Sequence, residues 1–140
     1  MMKDKKKFVI FAHSGTYDKL YQTITLAITA AAMGRETYIF LFFWALRRFV
    51  NEEFDVTKLS NEFGEEGARL SKRMQEINPV SLKEILYEVK KMGDLKVYAC
   101  TTAVKLMELE ESLVKSRVDD ILGLTTMLEI ADGAETQLFI

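Results

Sequence analysis

An α/β fold is what this sequence predicts: a mostly parallel five-stranded sheet with helices on both faces, three layers in all (α/β/α). Three observations carry that prediction. Short unbroken apolar runs such as Phe8–Ala12 alternate with longer segments whose apolar residues recur at helical spacing. Gly34, Gly93 and Gly133 close the helical segments. The resulting order is β-α-β-α-insert-α-β-α-β-α-β, the alternation that parallel strands need because each crossover returns the chain to the same end of the sheet.

Each element has its own local reason. Phe8–Ala12 reads as a strand buried on both faces. His13-Ser14-Gly15-Thr16 is turn chemistry. In Tyr17–Met33 the residues Leu20, Ile24, Ala27, Ile28 and Ala31 share one helical face. Thr37–Phe43 is β-branched and aromatic, a second strand, and Trp44–Val50 reads as a short helix.

Positions 51–78 hold seven acidic and four basic residues. They read as a solvated excursion with a polar helix near Glu65–Ile77; a mobile flap or docking segment is the alternative. Asn78-Pro79 is a stop, and Ser81 with Glu84 forms a capping box, with Val80 and Ile85 as its hydrophobic staple. Leu82, Ile85, Leu86 and Val89 then form a helix face. Leu95–Ala99 is the third strand, Thr101–Leu109 a helix and Val118–Leu122 a weaker strand. Thr126 with Glu129 suggests a second capping box, and Gln137–Ile140 is the last strand. The chain reads as one domain, 1–140.

Composition limits the function. The 140 residues are 49% hydrophobic and 29% charged with a formal net charge of −2. A core can therefore form, and nucleic-acid binding through bulk positive charge is disfavoured. A single cysteine makes no internal disulfide, CxxC pair or thiolate zinc site, and fits a reducing, cytoplasmic setting. One histidine makes no metal cluster, so neither metal nor cofactor is expected. The apolar runs in Thr23–Val50 are split by Gly34-Arg35-Glu36 and are too short to span a bilayer. The basic start, Lys3 to Lys7, reads as a solvated end, or as a foothold on an acidic membrane or partner.

Chemistry in open α/β sheets collects beyond the C-terminal strand ends. Two segments fall there. Cys100-Thr101-Thr102 follows the third strand: unpaired N–H groups of a helix start favour thiolate, and the two threonines can donate to sulfur. Against this, a free cysteine often only packs. His13-Ser14-Gly15-Thr16 follows the first strand. His13 is a loop histidine or a base, and Ser14-Gly15-Thr16 resembles a weak anion cradle without a nucleotide-binding glycine signature. The pairs Asp119-Asp120, Glu65-Glu66 and Glu110-Glu111 read as solvated faces. The run Tyr38–Trp44 is core, or its end, with Trp44, Leu46 and Phe49, is an exposed patch for self-association or a membrane surface.

These residues resemble a known family. The Ser-Gly loop with Tyr17-Asp18-Lys19, then Ala30–Gly34 before Thr37–Phe40, then Phe43-Trp44, is similar to the DsrE/DsrF-like proteins, and to their peroxiredoxin-related branch. Thr125–Ala131 and Leu138-Phe139-Ile140 are similar too, and Cys100 looks like the family's sulfur-carrying cysteine. The resemblance implies a three-layer fold with a parallel five-stranded sheet. It implies persulfide relay between sulfur donor and acceptor proteins of the rhodanese or TusA type, homo-oligomers, and peripheral membrane association in some members. Only Cys100 carries over from the family, as the sulfur carrier; the residue reading itself sets His13, Ser14, Gly15, Thr101 and Thr102 around the substrate. With no second cysteine, any sulfur must leave to an external thiol. Two other readings stand beside this one: a non-enzymatic subunit that builds an oligomer, and a small-ligand or nucleotide-binding module centred on His13–Thr16.

Overall fold

A computed structural model of the chain describes residues 5–77 and 80–140. The Asn78-Pro79 stop and the residues before Lys5 lie outside the described residues. Five strands are present: β1 (Lys7–Ala12), β2 (Glu36–Leu41), β3 (Leu95–Cys100), β4 (Asp120–Leu122) and β5 (Thr136–Phe139). They pair in the order β4-β3-β2-β1-β5, every neighbour parallel. The helices are α1 (Tyr17–Ala32), α2 (Phe43–Val50), α3 (Gly64–Ile77), α4 (Leu82–Met92), α5 (Thr101–Leu106), α6 (Glu111–Arg117) and α7 (Leu124–Ala131), with a 3-10 turn over Asn61–Phe63.

Strand order places the layers. From β1 to β4 the chain steps one way across the sheet; from β4 to β5 it steps back past β1. Right-handed crossovers put α1 and α4 on one face and α7 on the other. Helices α1 and α4 pack on each other as well as on the strands. Beneath them Ile10, Ile39 and Val97 are fully buried, side by side in register. The opposite face carries Phe11, Phe40, Tyr98 and Phe139 in register and is covered less completely: Tyr98 is half-buried and Phe139 exposed. The turn of the chain between β1 and β5 is the topological switch of the sheet.

Local signals behave as their chemistry requires in some places and not in others. Helix α1 ends in a Schellman motif: Gly34 sits at φ +82°, its N–H bonding to Ala31 O and that of Arg35 to Ala30 O. Ser81 caps α4 by accepting from the N–H of Glu84 at 3.3 Å. Val80, the outer half of the expected staple, is exposed, and Ile85 is half-buried. The Thr126 capping box does not form; α7 starts three residues earlier, with Gly123 at its N-cap and no side-chain cap bond. The polar stretch before β4 contains the unforeseen helix α6, anchored by the fully buried Val114.

The polar segment after α2 divides in two. Residues 51–60 form a strap bound into the body: Phe54 is fully buried, edge-on to Phe49 at 4.7 Å. Asp55 accepts from the N–H of Leu82 at 2.8 Å and from Ser81 Oγ at 2.6 Å, capping α4 from outside. In α3 only Gly67 is buried, and Leu70 and Ile77 are exposed. Among the described residues no helix is long and apolar enough to cross a membrane.

Candidate functional site

Both sequence-predicted segments lie at the C-terminal edge of the sheet, and β2 separates them. Cys100 closes β3 and is the N-cap of α5, in extended conformation. It pairs with Leu122 of β4 and is 4% exposed. Thr101 opens α5 half-buried, and Thr102 is exposed. After α5, Met107 is buried, and its carbonyl accepts from the guanidinium of Arg47 at 2.9 Å. Cys100 is thus buried at the start of a six-residue helix whose end is tied to α2.

The loop after β1 is built differently. His13 is exposed; its N–H and that of Ser14 bond to Ile140 O at 2.9 and 3.3 Å. His13, Ser14, Asp18, Lys19, Gln22 and Phe139 line an open groove of about 550 Å³ at the β1/β5 switch. The N–H of Tyr17, the first of α1, bonds to the carbonyl of Lys58 at 2.8 Å. Two donors of the expected anion cradle thus face carbonyls of the chain itself. Thr16 Oγ1 and Asp18 Oδ1 are buried without a hydrogen-bond partner among the described residues. From His13 to Cys100 the path crosses two strand spacings, about 9–10 Å by ordinary sheet geometry. A direct hydrogen bond does not span that gap.

Trp44, Leu46 and Phe49 do not form one patch. Leu46 and Phe49 are core, while Phe43 and Trp44 are exposed. The reason is the change of period: at Phe43 the strand gives way to a helix, and residues three and six places on turn inward. Phe43 makes the turn at φ +44°, a left-handed conformation costing a bulky residue roughly 1–2 kcal/mol. Gly15 packs against the next residue: a Cβ at Gly15 would lie 2.7 Å from Trp44 Cβ and 2.9 Å from its backbone. The Arg47 guanidinium sits 5.4 Å from the Trp44 ring centroid.

Arg48 ties these pieces to the strap. It is 9% exposed and donates to the carbonyls of Gly15 (3.0 Å), Glu53 (3.0 Å) and Val56 (2.5 Å), with the Glu53 carboxylate 3.5 Å away. Burial lowers its pKa, opposed by the charge of Glu53. Nothing in the sequence marked Arg48, Arg47, Asp55 or Lys58; the only hint was an arginine pair inside the apolar helix Phe43–Val50. At the far end of the strap, Glu52 accepts from Lys83 and from Arg117 at 2.6 Å. Its carboxyl is held below the ordinary value, first by the Lys83 hydrogen bond and then by the Arg117 charge, against its own desolvation.

A model of the DsrE/DsrF/DrsH-like family matches residues 4–66, the part of the chain that holds β1, α1, β2, α2 and the strap. Over that stretch the chain resembles the DsrE/DsrF-like proteins. An uncharacterized protein, YrkE of Bacillus subtilis (strain 168), is 29% identical, covering 100% of both chains. The sulfur carrier protein DsrE2 of Allochromatium vinosum is 26% identical over 98% of this chain and 99% of its own length. Among solved structures, the ychN protein from E. coli superposes with a TM-score of 0.62 at 16% identity, covering 96% of this chain and 99% of that one. That likeness shows a shared fold. Of the two sequence relatives, one is a sulfur carrier protein.

Proposed function

We propose that this protein carries sulfane sulfur on Cys100. The observation that supports it is position: in a DsrE-like chain, the single cysteine sits where β3 meets α5, at the strand edge where α/β proteins do chemistry. The Cys100 thiolate attacks the terminal sulfur of a donor persulfide. The new bond joins Cys100 Sγ to that sulfur, and the donor leaves as a thiolate. An acceptor thiolate then attacks the same sulfur, the bond to Cys100 breaks, and the Cys100 thiolate is regenerated. No net oxidation occurs and no cofactor is needed. Thr101 and Thr102 are the hydroxyls closest in sequence to the bound sulfur. Because Cys100 is buried, donor and acceptor proteins, of rhodanese or TusA type, reach it only when the structure around the start of α5 opens.

Mass spectrometry after incubation with a small persulfide donor tests this. One sulfur atom gained on the wild type, removed by reductant and absent from Cys100→Ser, is the expected result. A native Cys100 that neither gains sulfur nor reacts with iodoacetamide sinks the proposal.

A second reading concerns assembly. Leu124 and Leu128 on α7 and Phe139 on β5 are exposed apolar residues on the less covered side of the sheet. They fit a surface between copies of this chain. Light scattering should then show an oligomer that Leu128→Glu with Phe139→Glu converts to monomer; a monomeric wild type at micromolar concentration refutes it.

A further inference from the structure

Between the loop after β1, the start of α2 and the strap lies a cavity of about 420 Å³, within the size range of small-molecule sites. Trp44, Arg47, Arg48, Val56 and Lys58 line it, with one carboxylate, Glu53, which faces Arg48 at 3.5 Å. Trp44 supplies an aromatic wall and keeps 59% of its surface exposed. Among the three cations, Arg48 is already engaged by three carbonyls and by Glu53. Arg47 and Lys58 have no carboxylate within ion-pair distance among the described residues. Arg47 gives one N–H to the Met107 carbonyl and lies beside the Trp44 ring, so its remaining N–H groups and the Lys58 ammonium are the donors left for a ligand. The wall is also held in place deliberately: left-handed backbone at Phe43 turns the chain just before Trp44, and only a glycine at position 15 lets the loop approach Trp44 so closely.

An exposed indole beside two unpaired cations recognises a planar ring that bears an anion. The ring stacks on the indole, and the anion takes charge-assisted hydrogen bonds from arginine and lysine. We propose that this cavity is a binding site for a planar organic anion of mononucleotide size, its ring against Trp44 and its anionic group between Arg47 and Lys58. Cys100 does not line this cavity.

Trp44 is the only tryptophan, so its emission reports this site alone. The full chain is titrated with AMP, exciting the indole beyond the absorption of the purine. A saturable change in emission is expected, with about tenfold weaker affinity in Lys58→Glu. The Lys58 backbone carbonyl, which holds Tyr17, is untouched by that change. If Lys58→Glu does not fold, Lys58→Gln carries the test, with a loss of at least about threefold. Inorganic phosphate should displace AMP, yet bind about tenfold more weakly by itself. No saturable response of the folded wild type to millimolar AMP overturns the proposal. So does an unchanged response in a folded Lys58 variant, or phosphate binding as tightly as AMP.

Discussion

Two stretches of one sheet edge carry the candidate chemistry, and they are built in opposite ways. After β1 and β2 the chain leaves open space: an exposed His13, an exposed Trp44 on strained backbone, and a cavity floored by a buried arginine. After β3 the chain buries its one cysteine, with Cys100 at the start of a short helix. Open, preformed surface suits a ligand that binds and leaves unchanged. A covered sulfur suits chemistry that must be kept from stray oxidants and thiols until a partner opens it. The strap supports the first arrangement and has no part in the second.

The sharpest way to break this comparison is to remove the strap's anchor. Phe54→Ala empties a fully buried site and should cost about 3–5 kcal/mol in urea unfolding. Leu70→Ser on the exposed α3 should stay within about 0.5 kcal/mol. Equal effects would mean that strap and α3 are alike. Next comes Arg48→Met, which leaves the carbonyls of Gly15, Glu53 and Val56 without their donor; a loss of about 2–3 kcal/mol is expected by the same measurement. Gly15→Ala presses a methyl into Trp44 and should cost about 1–3 kcal/mol, with a shifted Trp44 emission maximum as a local readout. Asp55→Ala strips the outer cap from α4, about 1 kcal/mol, and should leave that emission unchanged.

The smallest effect is one of pH. Glu52 titrates below its ordinary value in the folded chain, so its contribution to stability is complete above the ordinary carboxylate range. That contribution is lost as pH falls through the depressed value. Glu52→Gln should therefore be less stable than the wild type at neutral pH, with the gap closing on acidification in denaturant titrations. A gap that does not narrow toward low pH contradicts the assignment.

Much of the fold was legible because its signals are local. The apolar runs of β1, β2 and β3 announce strands, the 3.6-residue period announces α1 and α4, and Gly34 stops α1 through a backbone conformation that glycine adopts freely. Helix α6 was not legible, since one buried valine in a polar stretch makes no period. Asp119 read as one of two solvated carboxylates, yet it accepts from Lys90 at 2.6 Å and from the N–H of Val97 at 2.7 Å, extending the ladder where β4 begins. No neighbour in sequence foretells partners 22 and 29 residues away.

The same division runs through the candidate site. By itself the sequence determined that strands and helices alternate, that a lone cysteine follows the third strand, and that any sulfur on it must pass to another molecule. Only the tertiary structure decided that β5 returns beside β1, that β2 stands between His13 and Cys100, and that the sulfur is covered. It alone brought Trp44, Arg47 and Lys58 around one cavity. Backbone preferences and periodic patterns act over a few residues, whereas strand order, burial and the meeting of side chains depend on contacts between distant segments, which no local pattern encodes.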